Sequence, residues 1–285
     1  MIEDFLITTI SKNKNVHGYY VNIKNSLKDA QKRHNMNIIS TSIFSRAMIA
    51  TSLLSGNLKN QSDYLSIAWD CTGPIGKIFC EANYEGNIRG YIGKTDLQFI
   101  NDTIFENNIK AEPYIGFGEI IVSRNSFDNR PPYNSVVVIE TGEIAQDISL
   151  YLDQVLQIQS ALKIGFSVNK FNEIEVAGGI LFMAMPGASK SELLDIYHTF
   201  ESIGSLTEVL KKRVSNVNIQ FNKLGLEIIN IKNIKYKCTC NKAIINGYLK
   251  GLSKNELEKY IIDSKRIEVA CQYCAKKYNF MINEL

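Results

Sequence analysis

Apolar positions in the first two-thirds of the chain recur with two different periods. Leu65, Ile67 and Trp69 alternate with polar or small residues, the pattern of a strand with one buried face. Ile78, Cys80 and Ala82 share a face in the same way. Glu85-Gly86-Asn87 then supplies a turn before Ile88 to Ile92, so this stretch predicts a hairpin. Further strands are expected over 114–123, 135–140 and 173–185. Helical spacing links Ile43, Ala47, Ala50 and Leu54, and Gly56 ends that run. Asp147 is placed to cap a second helix that carries Ile148, Leu152, Val155, Ile158 and Leu162 inward, with Gly165 past its end. Strands interrupted by two long helices predict an α+β domain with a mixed sheet over residues 1–188.

Pro186-Gly187 punctuates the end of that domain. Leu193, Tyr197 and Phe200 then form an apolar stripe, interrupted at Gly204 and resumed by Leu206, Val209 and Leu210. Lys211-Lys212-Arg213 suits the C-terminal end of a helix dipole. Val214 to Lys223, rich in Asn and β-branched residues, favours neither a strong helix nor a flexible tether. Residues 189–232 therefore read as a mainly helical linker that needs a neighbour to dock on. Residues 233–285 form a third part. Ser253 and Glu256 make a capping box flanked by Leu252 and Leu257, predicting a short helix through Ile262. Ile267–Ala270 and Tyr278–Ile282 read as two strands around a turn at Cys271-Gln272-Tyr273-Cys274. So few large apolar groups seldom fold unaided, and a metal staple is expected.

Composition sets the compartment. The chain of 285 residues is 45% hydrophobic and 21% charged, an ordinary soluble balance. Its start has no basic region, and Phe5 to Ile10 is too short an apolar run for a signal peptide. No uninterrupted apolar stretch is long enough for a bilayer, so the cytoplasm is the expected location. Thiols stay reduced there, and six cysteines point to metal or redox chemistry rather than structural disulfides. Formal charge is −3 over 1–187, +1 over 188–232 and +5 over 233–285. The basic tail, with Lys276-Lys277, reads as a solvated face rather than a nucleic-acid surface.

Cys238-Thr239-Cys240 and Cys271-Gln272-Tyr273-Cys274 are separated by thirty residues. Two close cysteine pairs supply the four soft ligands that one tetrahedral zinc ion takes, and Cys238, Cys240, Cys271 and Cys274 are the candidate ligands. Spacing leaves two readings open: a metal that only staples the fold, and a redox switch. Zinc-bound thiols are deprotonated, thiolates are what peroxide attacks, and each sulfur has a partner one or three residues away. A thioredoxin-like CxxC is disfavoured because it needs a helix N-terminus and this one lies between strand-like runs. Cys71 and Cys80 read as buried, inert thiols. His17, His34 and His198 are isolated from every cysteine. Gly116-Phe117-Gly118 lacks the third glycine and following helix of a dinucleotide loop, and no catalytic constellation stands out, so the chain reads as a non-enzyme.

Tyr236-Lys237-Cys238-Thr239-Cys240-Asn241-Lys242, followed by the stretch from Val269 through Cys271 and Cys274 to Tyr278 and Phe280, closely resembles the redox-switch domain of the Hsp33 family of bacterial chaperones. The likeness extends to Ala50–Leu54, Gly73-Pro74-Ile75-Gly76, Arg89-Gly90-Tyr91, Ala177–Leu181 and Met185-Pro186. Tyr236 stands where the family often has Phe, and Asn241-Lys242 replaces a more usual Ser-Arg; neither touches the four sulfurs. The resemblance implies a monomer that is zinc-bound and inactive when reduced. Oxidation would form Cys238–Cys240 and Cys271–Cys274 disulfides, release zinc and unfold the linker. The resulting homodimer would bind unfolding client proteins without ATP. The alternative is a constitutive zinc-ribbon module for a protein or RNA, and a second alternative is a thiol-disulfide oxidoreductase.

Overall fold

The computed structural model of the chain describes residues 4–13, 15–100, 104–105, 108–125, 132–202, 206–211, 221–257, 260–263 and 266–282. It divides into two compact units, Met1–Tyr236 and Lys237–Leu285.

The first unit opens with a hairpin of β1 (Phe5–Ser11) and β2 (Val16–Asn22), then helices α1 (Lys24–His34) and α2 (Ile38–Ser55). Three antiparallel strands follow, β3 (Tyr64–Cys71), β4 (Lys77–Asn83) and β5 (Asn87–Ile92). The small hairpin β6 (Ile104–Phe105) and β7 (Asn108–Ile109) and one turn of helix, α3 (Glu112–Ile115), lead to β8 (Gly118–Asn125) and β9 (Tyr133–Val138). Next come α4 (Ile144–Gln154), β10 (Ser160–Val168), β11 (Ile174–Ala184), α5 (Lys190–Ser202), α6 (Leu206–Lys211), β12 (Leu226–Asn233) and β13 (Lys235–Tyr236). One sheet has the order β10-β11-β2-β1-β12 and a second the order β13-β5-β4-β3-β8-β9. Among the described residues all pairs in these two sheets are antiparallel except β13 with β5, so the domain is α+β.

Helix α2 packs on strands of both sheets, and 15 of its 18 residues are buried. A helix covered all round has no polar face, so its Ser and Thr hydroxyls must bond inward. Thr51 donates to Ala47 O at 2.8 Å and Ser52 to Met48 O at 2.8 Å. Among the described residues α2 alone is long and apolar enough to cross a membrane, and 83% of that window is buried in the core. Gly56 ends the helix, as its position suggests, but not by adopting a left-handed conformation (φ −60°). A Cβ there would lie 2.3 Å from the Tyr19 ring, so the glycine lets the helix end press against β2.

The linker stripe lies on the outer face of the first sheet. Leu193, Leu206, Val209 and Leu210 are buried with Phe5, Ile7, Tyr20 and Phe182 of the strands. The floor under α6 is made flat by Gly165 and Gly178, directly opposite each other in β10 and β11. A Cβ on Gly178 would lie 2.5 Å from Leu210 Cδ2. Tyr197 is partly buried in the same cluster, whereas the Phe200 side chain falls outside the described residues. At the start of α5, Glu192 accepts a hydrogen bond from Asn15 Nδ2 at 2.9 Å, tying the helix to the β1–β2 turn.

Four sequence expectations are corrected. The second helix is capped at Glu143, not Asp147, and ends at Gln154. Asp147 instead sits in its first turn and accepts from Thr141 N and Oγ1, both at 2.9 Å. Ile158 lies in irregular chain and Leu162 and Gly165 lie in β10; between helix and strand Gln157 takes a left-handed conformation (φ 55°) that reverses the chain. Second, the end of the 189–232 linker is not helical: Leu226–Asn233 forms β12, which pairs with β1 through a bulge at Thr8/Thr9. The compact second unit spans Lys237–Leu285. Of the Val214–Lys223 stretch, 214–220 lies outside the described residues. Third, the helix expected through Ile262 does not reach it: among the described residues it covers Lys254–Leu257, and Ile261–Asp263 is a strand. Similarly, the strand expected from 114 starts at Gly118, after the turn of α3.

Candidate metal centre

The second unit contains α7 (Lys242–Lys250), α8 (Lys254–Leu257) and a three-stranded sheet of β14 (Ile261–Asp263), β15 (Arg266–Ala270) and β16 (Lys277–Met281). Each cysteine pair is held by a different local device. Cys238 and Cys240 lie in irregular chain just before α7, which Asn241 caps by accepting from Ile244 N at 2.9 Å. The second pair occupies the turn between β15 and β16. Ala275 N donates to Cys271 O at 2.8 Å and Cys271 N to Lys276 O at 2.9 Å, with Ala275 left-handed at φ 56°. These bonds fold the CxxC back so that both sulfurs face one side.

All four sulfurs lie within 4.8 Å of one another, a set that could hold a metal ion. Cys238 and Cys271 Sγ are 3.7 Å apart and Cys240 and Cys274 Sγ 3.4 Å. Four sulfurs about 2.3 Å from a central ion would be about 3.8 Å from each other, so the arrangement fits a tetrahedral thiolate site with little movement. The donor set is all sulfur, which selects soft ions over magnesium or calcium. Cys271 and Cys274 are buried with Leu249, Ile267, Val269, Tyr278 and Phe280, while Cys238 and Cys240 are partly exposed.

Tyr278 is a site residue that sequence reasoning passed over. Its hydroxyl is within hydrogen-bond reach of both Cys240 O at 3.1 Å and Cys240 Sγ at 3.2 Å, and its one proton turns to the sulfur when that is a thiolate. The available signal was strand alternation: Tyr278 and Phe280 share the inward face of β16. Without metal, burial pushes the Cys240 thiol up. Hydrogen bonds from Tyr278 and from Cys274, Cys238 and Cys271 outweigh it and bring Cys240 down to about 7. Burial raises Cys271 and Cys274, and a charge on neighbouring sulfurs raises them further. One negative charge is thus shared out by hydrogen bonds to a single sulfur, and a cation is needed to hold all four as thiolates.

A family profile described as Hsp33 protein matches residues 4–281. The chain belongs to the Hsp33 family. Relatives of this Hsp33 chain include the 33 kDa chaperonin of Aquifex aeolicus, 30% identical over 97% of this chain and 86% of the relative. That of Clostridioides difficile is 27% identical over 100% of this chain and 98% of the relative. The crystal structure of the 33 kDa chaperonin from Thermotoga maritima has the same fold, with a TM-score of 0.85 at 22% identity over 99% of this chain and 96% of that one.

The other cysteines of this Hsp33 chain are placed in the first unit, on β3 and β4. Burial pushes the Cys71 thiol up to about 12, helped by Asp70 and Asp147. Cys80 is fully buried and its thiol is driven up by burial, against a hydrogen bond with Thr51. Neither is a thiolate near neutrality, so neither invites oxidation. His34 Nε2 is 3.0 Å from the hydroxyl of Tyr236, which donates to Gly90 O at 3.0 Å. The aromatic that precedes the CxC is therefore an anchor within the first unit.

Proposed function

We propose that the chain is a redox-regulated, ATP-independent holdase chaperone, with residues 1–188 as chaperone core, 189–232 as linker and 233–285 as redox switch. The observation that carries the reading is the four-sulfur cluster, in a chain whose relatives are called chaperonins. Cys238, Cys240, Cys271 and Cys274 would hold one zinc ion. When bound, the ion keeps four thiols deprotonated and staples a module poor in apolar residues, a contribution of about 10–16 kcal/mol in small zinc modules.

A thiolate sulfur attacks a peroxide oxygen and, with one proton from solvent, gives a sulfenic acid and one water. The neighbouring thiolate then attacks that sulfur and expels hydroxide, which takes a proton from solvent and leaves as a second water, so one peroxide is reduced per disulfide closed. Closing Cys238–Cys240 and Cys271–Cys274 draws the sulfurs out of their contacts across the pairs and leaves no thiolate to bind the ion. The module would lose its staple, and the linker would then undock. The face of the first sheet that carries Phe5, Ile7, Tyr20 and Phe182 would then be uncovered together with the linker stripe, and an unfolding protein would bind through that apolar area. The reduced chain would be a monomer, the activated one a homodimer, and both would act in the cytoplasm.

The test is suppression of client aggregation before and after peroxide at raised temperature, with zinc release followed in parallel. Activity should appear with oxidation and fall after reduction in the presence of zinc. Activity that is greatest in the reduced, zinc-bound protein would point to a constitutive binding module, and turnover of a small disulfide substrate to an oxidoreductase.

A further inference from the structure

A cavity of about 780 Å³ opens in the first unit where β11 leaves the core for the linker. One wall is the end of α2's loop, with Asn57 and Lys59; another is the turn after α4, with Gln157 and Ile158; the third is Met185 to Ala188. His17 and Tyr19 of β2 also line it. The volume is that of a small-molecule site.

Its charged lining is one-sided, set among the neutral amides of Asn57, Gln157 and Gln159. Lys59 and His17 contribute, and no carboxylate lines the cavity among the described residues. Lys59 is close enough to His17 to disfavour a proton on the ring, in addition to the effect of burial. Asp63, the nearest acid along the chain, is turned to the backbone N–H groups of Lys59 and Asn60 at 3.3 and 3.0 Å. Among the described residues Lys59 has no ion pair. The Tyr19 ring is buried, and its hydroxyl lies 3.4 Å from His17 Nδ1. With Tyr19 donating, the proton of the neutral imidazole sits on Nε2, leaving a second donor beside the ammonium. Leu156, Ile158 and Met185 supply an apolar wall. Gln157 holds a left-handed conformation at φ 55°, a local strain of the kind that persists at ligand clamps.

We propose that this cavity binds a small organic phosphate, its anionic head on Lys59 and His17 and its apolar or aromatic body against Leu156, Ile158 and Met185. Two donors without a competing carboxylate recognise an anion, and an apolar wall discriminates for a ligand with a body over the bare ion. The site is independent of the cysteine cluster. Its third wall, Met185 to Ala188, runs directly into α5, with Gly187 left-handed at φ 91° and open space around it. An occupant would therefore hold the point at which the linker departs.

The experiment uses the full reduced chain and three probes, adenosine monophosphate, adenosine and inorganic phosphate, titrated at fixed ionic strength by calorimetry. Adenosine monophosphate should bind saturably and more tightly than either of the others. Lys59→Gln, at an exposed position, should weaken it by about tenfold, the loss of one charge-assisted hydrogen bond. The same change at exposed Lys77 on β4 should leave it unaltered. Amide exchange at 184–188 should slow when the probe is bound. No saturable binding, equal affinity for adenosine, or equal affinity in Lys59→Gln would each overturn the proposal.

Discussion

Replacing Leu210 with Ala tests whether the linker is a separately detachable layer. Leu210 is 4% exposed and reaches the sheet floor at Gly178, where the backbone leaves room for its Cδ2. Emptying that contact should cost about 3 kcal/mol, in the range for buried Leu to Ala changes. Helices α5 and α6 are short, with 13 and 6 residues, so they depend on docking rather than on their own propensity. The loss should therefore fall on local opening, raising the opening constant roughly 150-fold. Native-state hydrogen exchange on the reduced, zinc-loaded protein reads this directly. Amides of 190–202 and 206–211 should lose protection while those of α2 and β3 keep theirs, and a hydrophobic dye should bind without oxidant. Gly165→Ala should act in the same direction but more weakly. Its Cβ would lie 3.2 Å from Leu210 Cδ1 and 3.3 Å from Leu206 Cδ2, a wedge under α6 that meets no backbone. Equal loss of protection in the linker and α2 would refute the reasoning, because the docked segment would then belong to one cooperative unit with the core.

Metal analysis of freshly reduced protein should give one zinc per chain, and Cys→Ser at any of positions 238, 240, 271 and 274 should abolish tight binding. Replacing Cys71 and Cys80 together with Ala should leave zinc content and oxidative activation intact; loss of either in a folded variant would show a role for them. Tyr278→Phe removes a hydrogen bond that favours the Cys240 thiolate, so the midpoint for alkylation of the metal-free protein should move up from about 7. An unchanged midpoint would mean the phenol does not reach the sulfur in solution. Burial and Lys59 hold the His17 pKa below 6.5, so below that value the unfolded chain takes up a proton that the folded chain resists. Stability should thus fall as pH drops from 7 through 6.5 toward the lower folded value, and His17→Asn should flatten that slope in denaturant titrations.

The cysteine cluster was legible because metal ligation constrains sequence directly: two close pairs remain visible whatever chain separates them. Tyr278 was not, since an aromatic on an inward strand position looks the same whether it fills a core or bonds a sulfur. The β3–β4–β5 meander announced itself by alternation and by the turn at Gly86, whose φ is 87°. The second helix was overextended because Ile158 and Leu162 continue its spacing by coincidence, and only the backbone reversal at Gln157 separates helix from strand. Strand β12 was hidden for a different reason. Its bulge places Ile228 and Ile229 in succession and breaks the two-residue alternation, and its partner β1 lies more than 200 residues earlier, beyond any local signal.

That long-range pairing bounds what the linker could do if it undocked. The chain leaves the first sheet at Ala184 on β11 and returns at Leu226 on β12, and these residues lie at the same end of the sheet, opposite Val16 and Ser11. With β2 and β1 between them, the two attachment points are about 14 Å apart. The undocked segment of roughly 40 residues is then not a trailing arm but a noose fastened at both ends. Its furthest point can stand no more than about 70 Å from the sheet, half its contour length. Its entropy of closure is already spent by the β1–β12 ladder, so return to the sheet is a unimolecular event whose rate does not depend on protein concentration. A captured polypeptide held between loop and sheet would be encircled on one side, and its release would need no search by the linker for the surface it left.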